Sequence, residues 1–217
     1  MPSIINATTS TGLVTTADNS GSLQLATNNG TTALTINTSQ GVSVLNCLAV
    51  GNATPSTSGA GITFPASQSA SSDANTLDDY EEGTWTPSYG GGITAATYGS
   101  ARAGTYIKIG RSVTIHFVIM TDSVTRGSGG VTITGLPFTS SGAVGSEASL
   151  SFSGAFRFDS NPPLYARVGL NSTLIALYSS INATGAGTDP VAVVPTDLNT
   201  GSGNRNISVG TATYFTS

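Results

Sequence analysis

Apolar positions along this chain follow a period of two, at two densities. From residue 1 to about 74 they come as spaced pairs separated by a polar residue, clearest in Leu23-Gln24-Leu25, Leu34-Thr35-Ile36 and Val42-Ser43-Val44. Between the pairs lie Thr27-Asn28-Asn29-Gly30 and Asn37-Thr38-Ser39-Gln40-Gly41, and Asn-Gly is the strongest short turn signal. The pattern predicts short strands and tight turns, too irregular in period for a formal solenoid repeat. Pro55 to Ser72 reads as a Ser/Gly-rich linker interrupted by Gly61-Ile62-Thr63-Phe64-Pro65, where Ile62 and Phe64 can pin it to a neighbour.

Beyond Pro87 the strand signals strengthen. Gly104 to Ile115 reads as strand, tight turn at Gly110-Arg111, strand. Val113, Ile115, Phe117 and Ile119 share one face, while Thr114, His116, Val118 and Met120 share the other. A strand apolar on both sides belongs in the middle of a sandwich or against another subunit. Leu150, Phe152, Gly154, Phe156 and Phe158 fall on one face of a half-buried outer strand. Further strands fit 131–134, 164–170, 173–178, 191–194, 207–209 and 212–215. Eight or nine strands with regular turns predict an antiparallel β-sandwich of jelly-roll type.

The two densities differ enough to matter. Val, Ile, Leu and Phe together number 15 in the first 74 residues, whereas residues 88–217 hold 39 large apolar and aromatic side chains. Fifteen cannot offset the entropy of ordering 74 residues, so the first part is either disordered or wound with other chains. The alternating pairs favour winding, since three copies around one axis bury each pair against its equivalents and close the strand edges.

Composition narrows the function. Only 8% of residues are charged, against roughly 25% in ordinary soluble proteins, and abundant Thr, Ser, Gly and Asn suit pleats and turns rather than long helices. Net charge is −4 with one lysine, Lys108, so phosphate-driven nucleic-acid binding has no source. Cys47 is the only cysteine, which excludes an internal disulfide and multi-cysteine zinc patterns. No run approaches about 20 apolar residues and the start lacks a signal-peptide pattern, so membrane insertion and ordinary secretion are not expected.

Between the two parts lies Asn75-Thr76-Leu77-Asp78-Asp79-Tyr80-Glu81-Glu82-Gly83-Thr84-Trp85-Thr86-Pro87, with four of the 11 acids and the only Trp. Local rules predict a helix of one or two turns here: Asn75 or Thr76 as cap, Asp78 and Asp79 at its N-terminal end, Leu77 and Tyr80 on one face, Gly83 as terminator. The string Leu77 to Pro87 also resembles the LDDYEEGTWTP junction of bacteriophage fibre and appendage proteins. Tyr106-Ile107-Lys108-Ile109-Gly110-Arg111 and Ile133-Thr134-Gly135-Leu136-Pro137-Phe138 are similar to the distal domains that follow that junction. The resemblance implies a homotrimeric virion structural protein, assembled in the bacterial host cytoplasm. Residues 1–74 are then an intertwined stem that docks on other virion proteins, 75–87 the junction, and 88–217 an outward knob. Leu77, Tyr80 and Trp85 are the expected stem–knob anchors.

Catalytic chemistry is sparse. The sole imidazole, His116, sits in an apolar strand and reads as a packed core or interface residue. Asp122, Glu147, Asp159, Asp189 and Asp197 fall near turns and none is paired in sequence, so a glycan-cleaving carboxylate pair, a metal site and a cofactor are not expected. Gly127-Ser128-Gly129-Gly130 and Gly201-Ser202-Gly203 read as flexible turns. The expected work is adhesion to a host-surface glycan or protein, with a capsid decoration or baseplate connector as the alternative. Asn161-Pro162-Pro163 with Tyr165, and the loop 199–206 with Asn204, Arg205 and Asn206, combine a stacking ring with amide and guanidinium donors and are the candidate receptor contacts.

Overall fold

The computed structural model describes residues 22–27, 30–67, 71–73, 75–143, 148–182 and 189–216. The tip Asn28-Asn29, the N-terminal docking segment up to residue 21, and Glu147 lie outside them. The chain divides into two compact units, Met1–Ser69 and Ala70–Ser217. It is all-β: the one helical feature among the described residues is a single 3-10 turn, Pro195–Asp197.

In the first unit β1 (Leu23–Thr27), β2 (Thr31–Ile36) and β3 (Val42–Val44) form an antiparallel meander. Leu23 opposes Ile36, which opposes Val42, and Leu25 opposes Leu34, which opposes Val44. The alternating pairs therefore align into two apolar rows on one face. Asn37 closes the second turn, its Oδ1 accepting from the backbone N–H of Ser39 at 3.0 Å and of Gly41 at 2.8 Å. Then β4 (Cys47–Ala49) pairs in parallel with β5 (Gly61–Thr63), with Cys47 Sγ 2.6 Å from Thr63 Oγ1. No described residue of 22–67 is buried, and Leu23, Leu25, Val42, Val44, Leu45, Leu48 and Ile62 are exposed.

The second unit holds β6 (Tyr80–Trp85), β7 (Ser88–Ile109), β8 (Ser112–Thr134), β9 (Ala148–Phe156), β10 (Tyr165–Val168), β11 (Leu174–Asn182), β12 (Asp189–Ala192) and β13 (Arg205–Phe215). They form one antiparallel sheet ordered β12-β11-β10-β9-β13-β8-β7-β6, and β11 also pairs with β8. That extra pairing closes β8, β13, β9, β10 and β11 into a five-stranded barrel, so the strands expected to form two packed layers instead enclose one core. The last strand, β13, inserts between β8 and β9. Inside lie Val113, Ile115, Ile119, Ile133, Val168, Ile175, Leu177 and Tyr214, each almost fully buried.

Period two holds along β8 up to Ile119: Val113, Ile115, Phe117 and Ile119 point inward, as predicted. It fails along β9. Gly154 opposes Val209 while Phe152 opposes Gly210, so Ser153 is an extra residue and a bulge. Leu150 is in the core and Phe152 packs against it, but Phe156 is turned outward. The run Gly127–Gly130 lies in β8 and not in a free turn.

The junction is the clearest correction. Residues 80–85 are not helical; they form β6, with Glu81 opposite Lys108, Gly83 opposite Tyr106 and Trp85 opposite Gly104. Thr84 and Trp85 suit a strand, and pairing with β7 satisfies the backbone that a two-turn helix would leave half unpaired. Gly83 is required for close approach, because a Cβ there would sit 2.7 Å from the Tyr106 hydroxyl. Of the three expected anchors only Trp85 is buried; Leu77 and Tyr80 are 57% and 42% exposed. Trp85 lies over Gly104 and meets Phe117 edge-on at 5.8 Å. Trp85→Ala should therefore lower stability by about 3–5 kcal/mol, through lost burial and the cavity left behind. Gly104→Ala, whose Cβ would run into the indole, should cost about 1–3 kcal/mol by overpacking. Urea melts of both variants against the parent check this, and equal midpoints would remove Trp85 from its role as the anchor of β6.

Candidate functional site

Two polar assemblies in the second unit have defined geometry. The first lies beneath β6 and β7. Asp79 and Lys108 form an ion pair with both side chains 6% exposed, and the Lys108 ammonium stands 5.5 Å from the centre of the Phe138 ring. Tyr106 donates to Glu81 and meets Phe138 edge-on at 5.3 Å. That bond to a carboxylate, with burial, pushes the Tyr106 hydroxyl up to about 12. Tyr214 Oη donates to the Phe138 carbonyl at 3.0 Å and accepts from the Phe138 N–H at 3.3 Å, and burial raises it to about 12 as well. Tyr89 is driven well above its ordinary value by burial, with its hydroxyl donating to the Asn206 carbonyl at 2.7 Å. Burial holds Lys108 below its ordinary value.

The second assembly is one end of the barrel. Arg126 Nε donates to the Leu198 carbonyl at 3.2 Å, and its Nη2 to Thr196 O at 3.3 Å and Asp159 at 2.6 Å. Asp197 accepts from Ser160 Oγ at 2.8 Å, Asn161 Nδ2 at 3.0 Å and the Val194 N–H at 2.9 Å. Arg157 donates to the carbonyls of Gly203 and Asn204. Loops 157–163 and 195–206 are thus tied together. Asp122, Asp159 and Asp197 are each engaged by a backbone N–H or a side-chain donor in this network. Among the described residues no three His, Cys, Asp or Glu side chains converge as metal ligands.

The expected contact residues do not stay together. Asn206 is fully buried: its Nδ2 donates to Thr121 Oγ1 and the Asn199 carbonyl, and its Oδ1 accepts from the Asn199 N–H. It is a loop lock, with no surface to offer a receptor. Asn204 has φ 56° and its Oδ1 accepts from the Ser100 N–H at 3.2 Å, while Arg205 Nε donates to the Ser202 carbonyl at 3.1 Å; both remain partly exposed. Tyr165 lies elsewhere. Its neighbour Ala166 is level with Leu150 and Ala212, seven residues along β13 from Arg205, or about 20 Å. There Tyr165 stacks on Tyr178 with centroids 5.1 Å apart and planes at 14°, a partner the sequence pattern did not reveal.

Of the two places expected for His116, core or interface, the core is ruled out. It is exposed on the outer face of β8 and lines two neighbouring grooves of about 500 and 470 Å³, with Thr105 common to both. Its strand neighbours are apolar because they face the core; alternation turns the imidazole away from it.

This geometry defines an all-β protein with a five-stranded barrel, a wing formed by β6 and β7, and polar loops gathered at one barrel end. No family model matches the sequence, and neither a curated protein nor a solved structure matches it.

Removing one member of the buried ion pair leaves an uncompensated charge, so Asp79→Ala should cost about 3–5 kcal/mol, and Asp79→Leu with Lys108→Met should recover most of it. A chemical-denaturation double-mutant cycle tests this; additive losses would deny the pair. Tyr89, Tyr106 and Tyr214 hold their protons more tightly folded than unfolded, where the ordinary value is 10.0. Their stabilising contribution is complete below pH 10 and is lost as pH rises through about 12. Lys108 acts in the opposite sense but is one group against three. Urea midpoints should fall steadily between pH 10 and 12, and flat midpoints would show that the hydroxyls are freely titrating.

Proposed function

We propose that this chain is a homotrimeric bacteriophage fibre: an intertwined β-stem, a junction, and an antiparallel β-rich knob that attaches the virion to a glycan or protein on the bacterial surface. The observation that carries the trimer is the first unit's meander, whose two aligned rows, Leu23–Ile36–Val42 and Leu25–Leu34–Val44, find no cover within the described chain. An isolated three-stranded sheet with its apolar face in water is unstable, and copies packed face to face around an axis remove that face from water. The phage assignment rests on the resemblance of Leu77 to Pro87 to the appendage junction.

Adhesion is assigned to the knob. Tyr165 stacked on Tyr178 presents an aromatic ledge suited to a sugar ring, and the exposed tip Thr200–Gly203 with Asn204 and Arg205 supplies amide and guanidinium donors. Three weak sites on one trimer combine into avidity.

Light scattering at micromolar concentration should give three times the 21.7 kDa chain mass. Labelled trimer should bind cells of the host bacterium, and Arg205→Ala should weaken that binding by about tenfold, a loss of ~1.4 kcal/mol, with the melting temperature unchanged, while Tyr165→Ala should weaken it as much and still melt cooperatively as a trimer. A trimer that ignores host cells and binds purified heads or baseplates would instead make the protein a decoration or connector.

A further inference from the structure

The outer face of the sheet β6-β7-β8-β13-β9 has no role in the site described above, yet its relief is specific. At one end Tyr80 on β6, Ile109 on β7 and Phe215 on β13 stand level, with Ser112 of β8 between the last two and Ile107 next to Ile109. At the other, the β9 bulge turns Phe156 outward opposite Ile207. Ile107, Ile109 and Phe156 are 43%, 51% and 55% exposed. Between the two ridges lies a saddle of small side chains, Ala103, Thr105, Ser153 and Thr211, and the two grooves meet there at His116.

We propose that this face is a self-association surface, covered in the assembly by the same unit of another copy of the chain. Three observations select that occupant. The face is complementary to itself, since it carries both apolar ridges and a saddle of groove volume fit to receive an aliphatic or aromatic side chain. Its area is adequate: the five protruding side chains offer roughly 500 Å² of apolar surface. The smaller residues between them bring the face toward the ~800 Å² per partner of a stable interface. Its charge is sparse. Glu82 on β6 and His116 on β8 are the acid and the base facing outward among its described residues, two strands apart, so that rotation of one copy against another brings acid to imidazole. Of the saddle's hydroxyls that of Thr211 is committed to the Ile115 carbonyl at 2.9 Å, and Ala103, Gly104, Val118 and Val209 give the floor between them no side-chain donor. The inference rests on the trimer reading only in requiring that copies be held together.

His116 is the only histidine, so its acylation by diethyl pyrocarbonate, followed by digestion and mass spectrometry of the peptide that carries it, reports on this face. In the trimer, labelling should run at least tenfold slower than in the urea-unfolded chain. Ile107→Lys with Ile109→Lys should restore fast labelling while the far-ultraviolet spectrum stays β-type. Trimers whose His116 labels as fast as in the unfolded chain would overturn the proposal and leave the trimer standing. A monomer with fast labelling would sink both. A monomer with slow labelling would show that the chain covers the face itself, which also overturns the proposal.

Discussion

Strand β8 is paired along both edges, and the rest of the second unit depends on how its second edge is divided. One edge runs against β7 for nearly its full length; the other pairs with β13 from Ser112 to Thr121 and with β11 from Thr132 to Thr134. The gap between is filled by the segment after β12. Val193 N–H donates to Leu177 and its carbonyl accepts from Val131, while Leu198 is fully buried and Arg126 reaches over to its carbonyl. A strand long enough to serve two partners turns an open sheet into a barrel, with no free edge among the five strands that close it. The segment that fills the gap leads into loop 195–206, and the Asp197 carbonyl, accepting from the Asp159 and Ser160 N–H groups, brings loop 157–163 to the same end.

The junction is the second place on which the unit depends, and it works by burial of unlike groups side by side. Trp85 covers Gly104 on the inner face of the wing, and the Asp79–Lys108 pair lies farther along that face against Phe138. The indole supplies apolar area. The ion pair supplies little net stability and strong discrimination, because a one-residue slip of β6 against β7 would turn Asp79 to the opposite face and leave Lys108 buried without its partner.

Four surfaces differ in character: the apolar rows of the first unit, the ridged outer face of the second with few charges, the polar barrel end, and the Tyr165–Tyr178 ledge away from it.

The period-two pattern by itself determined the all-β class, the strands Leu23–Leu25, Leu34–Ile36 and Val42–Val44, the turn at Gly110-Arg111 and the inward set Val113, Ile115, Phe117 and Ile119, because alternation and turn chemistry are local. Tertiary structure decided the rest. Capping rules made a helix of 75–83, but the edge of β7 claimed residues 80–85 as a strand, and no local signal records that edge. The β9 bulge reversed Phe156, and only pairing with β13 reveals the extra residue. Asn206 read like its neighbours Asn204 and Arg205, yet it is buried, since the position of Thr121 on a strand more than 80 residues away determines where its amide goes. Barrel closure was likewise outside the reach of pattern. It requires β8 to meet β11, a long-range contact set by strand length and twist rather than by any residue's neighbours in sequence.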